Sequence, residues 1–249
     1  MGYDNNDGRV RGRRGVEQRH SFLRRNPLCA HCQQRGIITA AEEVDHIVPL
    51  HAQGEDTDDN KQALCVDCHK AKSAKEQGAN LRAQMFPEWL EPAACPLTIV
   101  FGPPGSGKTT YVEKHSKPGD QVIDLDLIRA ELSGEPIYTS DKQWFSPAVR
   151  ERNRRLGSLK REATPTWVVV TGTGQADREW WQRKLQPTAI VVLDVPESEC
   201  IARIKADARR PEWLKAKQIE AVRSWWAAER GYAVQTARQV AIGEDGWPV

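Results

Sequence analysis

Two sets of residues in this 249-residue chain have the types and spacing to do chemistry. The first is a pair of C-x-x-C motifs, Cys29 with Cys32 and Cys65 with Cys68, with Asp45, His46, Asn60 and His69 between and beside them. Four thiolates in two such pairs suit a closed tetrahedral Zn²⁺, which organises structure and leaves no open position for a reaction. Asp45 next to His46 is a different signal. Phosphodiester hydrolysis needs a nucleophile made at neutral pH and a cation to neutralise the leaving 3′ oxygen, and a histidine beside a metal-binding aspartate supplies both. A hard ion, Mg²⁺ or Mn²⁺, fits a carboxylate and an imidazole, and Zn²⁺ or Ni²⁺ fits the same donor types.

The second set is Gly102-Pro103-Pro104-Gly105-Ser106-Gly107-Lys108-Thr109, which matches G-x-x-x-x-G-K-[ST]. It follows the apolar run LTIVF and precedes a helical pattern, the context that motif requires. Successive backbone N–H groups wrap a β-phosphate, Lys108 reaches the β and γ phosphates, and Thr109 ligates Mg²⁺. ATP or GTP is the expected cofactor, bound by Gly102, Pro103, Gly105, Ser106, Gly107, Lys108, Thr109 and Thr110. Further on, VIDLDLIRAEL is expected to put Asp126 at the end of the next strand, with Arg129 one helical turn away on the same face. No apolar run ends in Asp-Glu, so the carboxylate pair usual in motor ATPases is absent.

These residues need two different scaffolds. Between Cys29 and Glu76 the chain is polar and short of apolar runs, so a metal must replace much of the missing core. Ahead of it Arg9, Arg11, Arg13, Arg14, Arg19, Arg24 and Arg25 crowd the first 25 residues as a basic arm, turning helical near GVEQRHSFLRR, with Val16, Phe22 and Leu23 as a narrow apolar stripe. Beyond Pro87, Pro92 and Pro96 apolar strands alternate with amphipathic helices, which predicts a parallel sheet with helices on both faces. The reading is therefore α/β, with a basic arm at 1–25, a metal-centred domain at 26–80, a linker at 81–96 and a nucleotide-binding domain at 97–249. No secretory signal or membrane-length apolar stretch is visible, and paired cysteines in a reducing compartment mean metal before disulfide, so a cytoplasmic location is expected. Cys95 and Cys200 read as small buried thiols.

Over about residues 20–76 the chain resembles the HNH endonucleases, especially the small Cys-rich type frequent in phage genomes, through LRRNPLCAHC, VDHIVPLH, NKQALC and CHKAK. The resemblance implies a ββα-metal fold in which His46 is the general base, Asp45 and His69 hold the divalent ion, and Asn60 fixes the loop that orients His46. From about 97 to 226 the chain resembles the polynucleotide kinases of phage end-healing systems. That resemblance rests on the phosphate loop, Asp126-x-x-Arg129, Asp194-Val195-Pro196, the arginines Arg203, Arg209 and Arg210, and Ile219 with Arg223. It implies that Asp126 accepts the proton of a 5′-hydroxyl, that Arg129 clamps the acceptor phosphate, and that the later arginines form a lid on the nucleotide. Where that family has Asp-Thr-Asn after its third strand this chain has TGTGQADR, so either Asp177 supplies the carboxylate from a different place or Thr171, Thr173, Gln175 and Arg178 line the acceptor pocket instead. Trp180-Trp181 and Trp225-Trp226 either stack bases or divide between core and surface.

The expectation is a bifunctional enzyme of DNA end processing or repair, phage-encoded, with DNA or RNA ends as partner. It would join a metal-dependent HNH endonuclease to an ATP-dependent 5′-hydroxyl polynucleotide kinase. HNH chemistry leaves 5′-phosphate ends, so the kinase would serve ends made by another nuclease. Two rivals remain: an ATP-regulated restriction or defence nuclease, and a small-molecule or modified-base kinase carrying an inactive zinc module.

Overall fold

The computed structural model describes residues 10–233; Arg9 of the basic arm and residues 234–249 of the expected nucleotide-binding domain lie outside the described residues. The chain forms two compact units that meet between Arg82 and Ala83.

In the first unit helix α1 (Gly12–Arg25) leads to the short helix α2 (Ala30–Gln33), strand β1 (Glu43–His46), strand β2 (Lys61–Leu64) and helix α3 (Val66–Met85). β1 and β2 are antiparallel, with Asp45 opposite Gln62 and His46 opposite Lys61. Phe22 of α1 is buried, whereas Val16 is 40% exposed, so the expected stripe is used at one end only. The core here is Leu64 with Cys29, Cys32, Cys65 and Cys68. So small a cluster cannot offset the chain's conformational entropy without a cross-link.

The segment 81–96 is not a free linker. Residues up to Met85 complete α3, and Leu90 and Cys95 are buried in the core of the second unit. Pro87 lies just past the end of the helix and opens a turn in which the Leu90 N–H donates to its carbonyl at 3.2 Å. Ala93 and Ala94 then donate their N–H groups to the carbonyls of Leu185 and Leu159, at 3.0 and 2.9 Å.

The second unit is a sheet of β3 (Leu97–Phe101), β4 (Gln121–Asp124), β5 (Thr166–Val170) and β6 (Ala189–Val192), all parallel in the order β4-β5-β3-β6. Helices α4 (Lys108–His115), α5 (Leu125–Ser133), α6 (Phe145–Ser158), α7 (Gln175–Leu185), α8 (Glu197–Ala206) and α9 (Glu212–Ala233) complete it. Both faces of β3 are covered: Ile99 and Phe101 pack with Ile128, Leu156 and Trp180, while Val100 packs with Val112, Val169 and Leu193. Trp180, Trp181 and Trp225 are 7%, 2% and 1% exposed, so these rings belong to the core. Because β3 is an inner strand, the loop leaving its C-terminal end lies between the ends of β5 and β6, where parallel α/β sheets bind ligands.

Candidate functional site

In the first unit the four Sγ atoms of Cys29, Cys32, Cys65 and Cys68 all lie within 4.8 Å of one another. Cys32 is 3.9 Å from Cys65 and 3.7 Å from Cys68. A tetrahedral zinc with ~2.3 Å bonds separates its sulfurs by about 3.8 Å, so the four thiols fit that ion. The Arg35 guanidinium reaches the sulfurs of Cys32 and Cys68 at 3.4 and 3.3 Å, a counter-charge for a four-thiolate site.

β1 delivers Asp45 and His46 to opposite faces of the hairpin. Asp45 faces α3: its Oδ1 is 3.9 Å from Nε2 of His69, and its Oδ2 is 2.7 Å from Nζ of Lys72. One carboxylate and one imidazole at that spacing can share a divalent cation, with Lys72 in competition for the same oxygens. His46 faces the other way and is 9% exposed. Its Nε2 lies 3.1 Å from Oδ1 of Asp56, whose carboxylate also meets Nζ of Lys61 at 2.9 Å and the N–H of Val10 at 3.0 Å. Although burial opposes its charge, Lys61, the Val10 N–H and His46 hold the Asp56 carboxyl well below the usual range. The bond leaves Nδ1 as the ring nitrogen not engaged by Asp56. Asn60 accepts from the Val48 N–H at 2.9 Å and donates to the carbonyls of Val48 and Glu55 at 2.9 and 2.8 Å, tying both ends of the loop behind His46.

In the second unit the loop from Gly102 ends at α4. Gly105 and Gly107 have φ of +80° and +89°, and a Cβ on Gly105 would stand 2.6 Å from the carbonyl oxygen of Cys200, so only glycine lets the loop close. Ser106 is fully buried and its Oγ has no partner among the described residues, an orphaned polar atom in a cradle shaped for phosphate. Lys108 lies over this loop, donating to the carbonyls of Gly102 and Pro103 at 2.7 and 2.9 Å. Burial lowers its pKa to about 8. Thr109 Oγ1 is 3.4 Å from Oδ2 of Asp124, and a hydroxyl beside a carboxylate fits a hydrated Mg²⁺.

Here the expected placement of Asp126 needs correction. β4 ends at Asp124, which caps α5 by accepting the N–H of Asp126 at 2.8 Å, and Asp126 sits in the helix's first turn. Burial, then the charge of Asp126, raises the Asp124 pKa to about 6. Burial likewise raises that of Asp126, against the pull of Lys108, Arg210 and Arg129. Asp56 and Asp124 are the residues the sequence reading missed. For Asp124 the signal existed: its place at the end of an apolar run and before a helix is that of an N-cap.

Both aspartates, Lys108, Thr109 and Thr110 line a cleft of about 920 Å³. Arg203, Arg209 and Arg210 line it as well. Asp207 holds Arg209 and Arg210 by bonds of 2.9 Å to each. Tyr138, with φ +76°, presents its ring to the same two arginines, 4.2 Å from the Arg210 guanidinium. Arg203 contacts the Gly105 carbonyl at 3.4 Å. Arg129 donates to the carbonyls of Ser140 and Asp141, bracing the loop that carries Tyr138, while its charge acts on Asp126. Thr171, Thr173 and Asp177 line the cleft. Gln175 bonds Glu179, and Arg178 is held by Gly172 and Glu229 against the Trp225 ring, so neither of these lines it. Arg223 is exposed and faces Glu220 at 3.9 Å.

Residues 97–228 match the family described as AAA domain, and residues 29–75 match HNH endonuclease. A shikimate kinase of Corynebacterium diphtheriae is 26% identical over 143 residues, 57% of this chain and 82% of that protein. The manganese-bound HNH endonuclease of the deep-sea thermophilic bacteriophage GVE2 is 38% identical, covering 27% of this chain and 77% of that one, with a TM-score of 0.24. A chain in the Pnkp1/Rnl/Hen1 RNA repair complex is 13% identical, covering 63% of this chain and 53% of that one, with a TM-score of 0.44. No described helix is long and apolar enough to cross a membrane.

Proposed function

We propose, for a chain that belongs to the AAA domain family and carries an HNH endonuclease domain ahead of it, two activities on nucleic acid. One is metal-dependent cleavage of DNA strands. The other is transfer of the γ-phosphoryl group of ATP to a 5′-hydroxyl end. The observation that carries the second is the convergence of Lys108, Asp126, Arg209 and Arg210 on one cleft.

The chemistry follows from those positions. Phosphoryl transfer is mostly alignment and charge neutralisation. Lys108 and the lid arginines stabilise the charge that spreads over the γ-phosphoryl oxygens as the bond to the β-phosphate oxygen breaks and the bond to the acceptor oxygen forms. Asp126, raised above an ordinary carboxylate, accepts the hydroxyl proton. Thr109 with Asp124 would hold Mg²⁺, which would supply further neutralisation of phosphate charge. In the other unit His46 takes a proton from water at Nδ1, held in that orientation by Asp56 and by the loop that Asn60 ties. Asp45 and His69 would hold the divalent ion that offsets charge on the leaving oxygen.

A nucleic-acid acceptor is favoured by the nuclease unit in the same chain and by the basic helix α1 that precedes it. The likeness to shikimate kinases favours a second reading, in which the acceptor is a small hydroxylated acid. One series separates them. Wild type, His46→Ala, Lys108→Ala and Asp126→Ala receive γ-labelled ATP with a 5′-hydroxyl oligonucleotide, a small hydroxy acid and a supercoiled plasmid. Label on the oligonucleotide that disappears in Lys108→Ala and Asp126→Ala supports the polynucleotide reading. Label only on the hydroxy acid replaces it with the second.

A further inference from the structure

Trp180, Trp181 and Trp225 lie in the core, whereas Trp213, in the first turn of α9, is 45% exposed. It lines a second pocket, of about 690 Å³, together with residues 139–143 and with Lys217, one turn further along α9. Nζ of Lys217 stands 5.8 Å from the centre of the Trp213 ring. The ammonium groups of Lys142 and Lys217 make no hydrogen bond or ion pair among the described residues. Two lysines against one aspartate, Asp141, leave the lining net positive.

This pocket continues the reaction cleft. Tyr138 and Gln218 line the cleft, and their chain neighbours Thr139 and Lys217 line the pocket, so the same two wall segments run from one into the other. Arg129 ties that wall to the acceptor end: it donates to the carbonyls of Ser140 and Asp141, and its charge acts on Asp126. An exposed indole with unpaired cations beside it suits a nucleic-acid single strand, whose bases stack on an aromatic face and whose phosphates meet the ammonium groups. A small hydroxylated acid offers neither a run of bases nor a second phosphate.

We propose that this pocket is a strand subsite. It holds the nucleotide that follows the 5′-terminal one, with its base on Trp213 and its phosphate at Lys142 and Lys217. This rests on the polynucleotide reading above and adds to it a preference for acceptor length: a single nucleotide reaches the cleft alone, and a longer single strand fills both.

The test measures transfer of label from γ-labelled ATP to a nucleoside 3′-monophosphate and to a trinucleotide, both with 5′-hydroxyl ends. Wild type should favour the trinucleotide by about tenfold or more in kcat/KM. Trp213→Ala should bring that preference to within about twofold of unity, through KM for the longer acceptor, and Trp213→Phe should restore most of it. Lys142→Gln with Lys217→Gln should lower the preference and flatten its salt dependence. Transfer to the monophosphate and KM for ATP should stay within about twofold throughout. Should Trp213→Ala not fold, the comparison rests on Trp213→Leu, which keeps apolar bulk without a π face and must lower the preference by at least about threefold. Equal use of the two acceptors by wild type, or a preference that survives loss of the indole, would overturn the subsite and leave the kinase reading standing. A KM for ATP raised about fivefold or more in Trp213→Ala, with the acceptor preference unchanged, would put the base of ATP in the pocket instead. Label on a small hydroxy acid and on neither nucleic-acid acceptor removes the polynucleotide reading and the subsite with it.

Discussion

Asp124 and Asp126 are two residues apart and line one cleft, and the charge of Asp126 adds to burial in making Asp124 harder to ionise. For Asp124 the folded pKa of about 6 lies above the ordinary ~4, so the protein takes up this proton on folding. The associated stability is complete below pH ~4 and is lost as pH rises through about 6. Asp124→Asn keeps the helix cap and removes the buried charge. The nucleotide-free variant should be more stable than wild type at pH 8 by about 1–2 kcal/mol and equal to it near pH 4. Transfer should fall by about a hundredfold or more; thermal melts at the two pH values, with a kinase assay, decide both points. In the first unit, Asp56→Ala frees the His46 ring and leaves buried Lys61 with only the Asp58 carboxylate at 3.8 Å. Strand cleavage should fall about ten- to a hundredfold, measured by plasmid nicking at unchanged zinc content.

Strand, helix and loop settle whether those side chains meet. The buried cluster that holds the hairpin β1–β2 consists of Leu64 of β2 and the four cysteines. Removing zinc with a strong chelator, or replacing Cys65 by Ser, should therefore unfold the first unit and abolish cleavage, while ATP binding by the second persists. Far-ultraviolet circular dichroism and nucleotide titration read the two outcomes separately. The phosphate loop depends on a close approach of backbones. Gly105→Ala puts a methyl group 2.6 Å from the Cys200 carbonyl at φ +80°, and should weaken ATP binding by about tenfold or more, by calorimetry.

At the scale of the whole chain, the two candidate sites lie in separate compact units. His46→Ala should abolish plasmid cleavage with phosphoryl transfer within about twofold of wild type, and Lys108→Ala the reverse. Loss of both activities in either variant, with folding intact, would show that the units depend on each other. Much of this was legible in the residue order. The paired cysteines, Asp45-His46 and Gly102–Thr109 each declare a ligand through local spacing, because a knuckle, a strand end and a phosphate loop are built from near neighbours. The alternation of apolar and amphipathic runs likewise dictates a parallel sheet. What residue order left open is which distant side chains share a cleft. Asp56 reaches His46 across a loop, Arg129 turns to brace Ser140 and Asp141, and Arg152 on α6 comes to the cleft beside Trp181 on α7. Those contacts depend on packing of elements far apart in the chain, where burial and charge pairing at a particular place decide, and so only the tertiary structure fixes them.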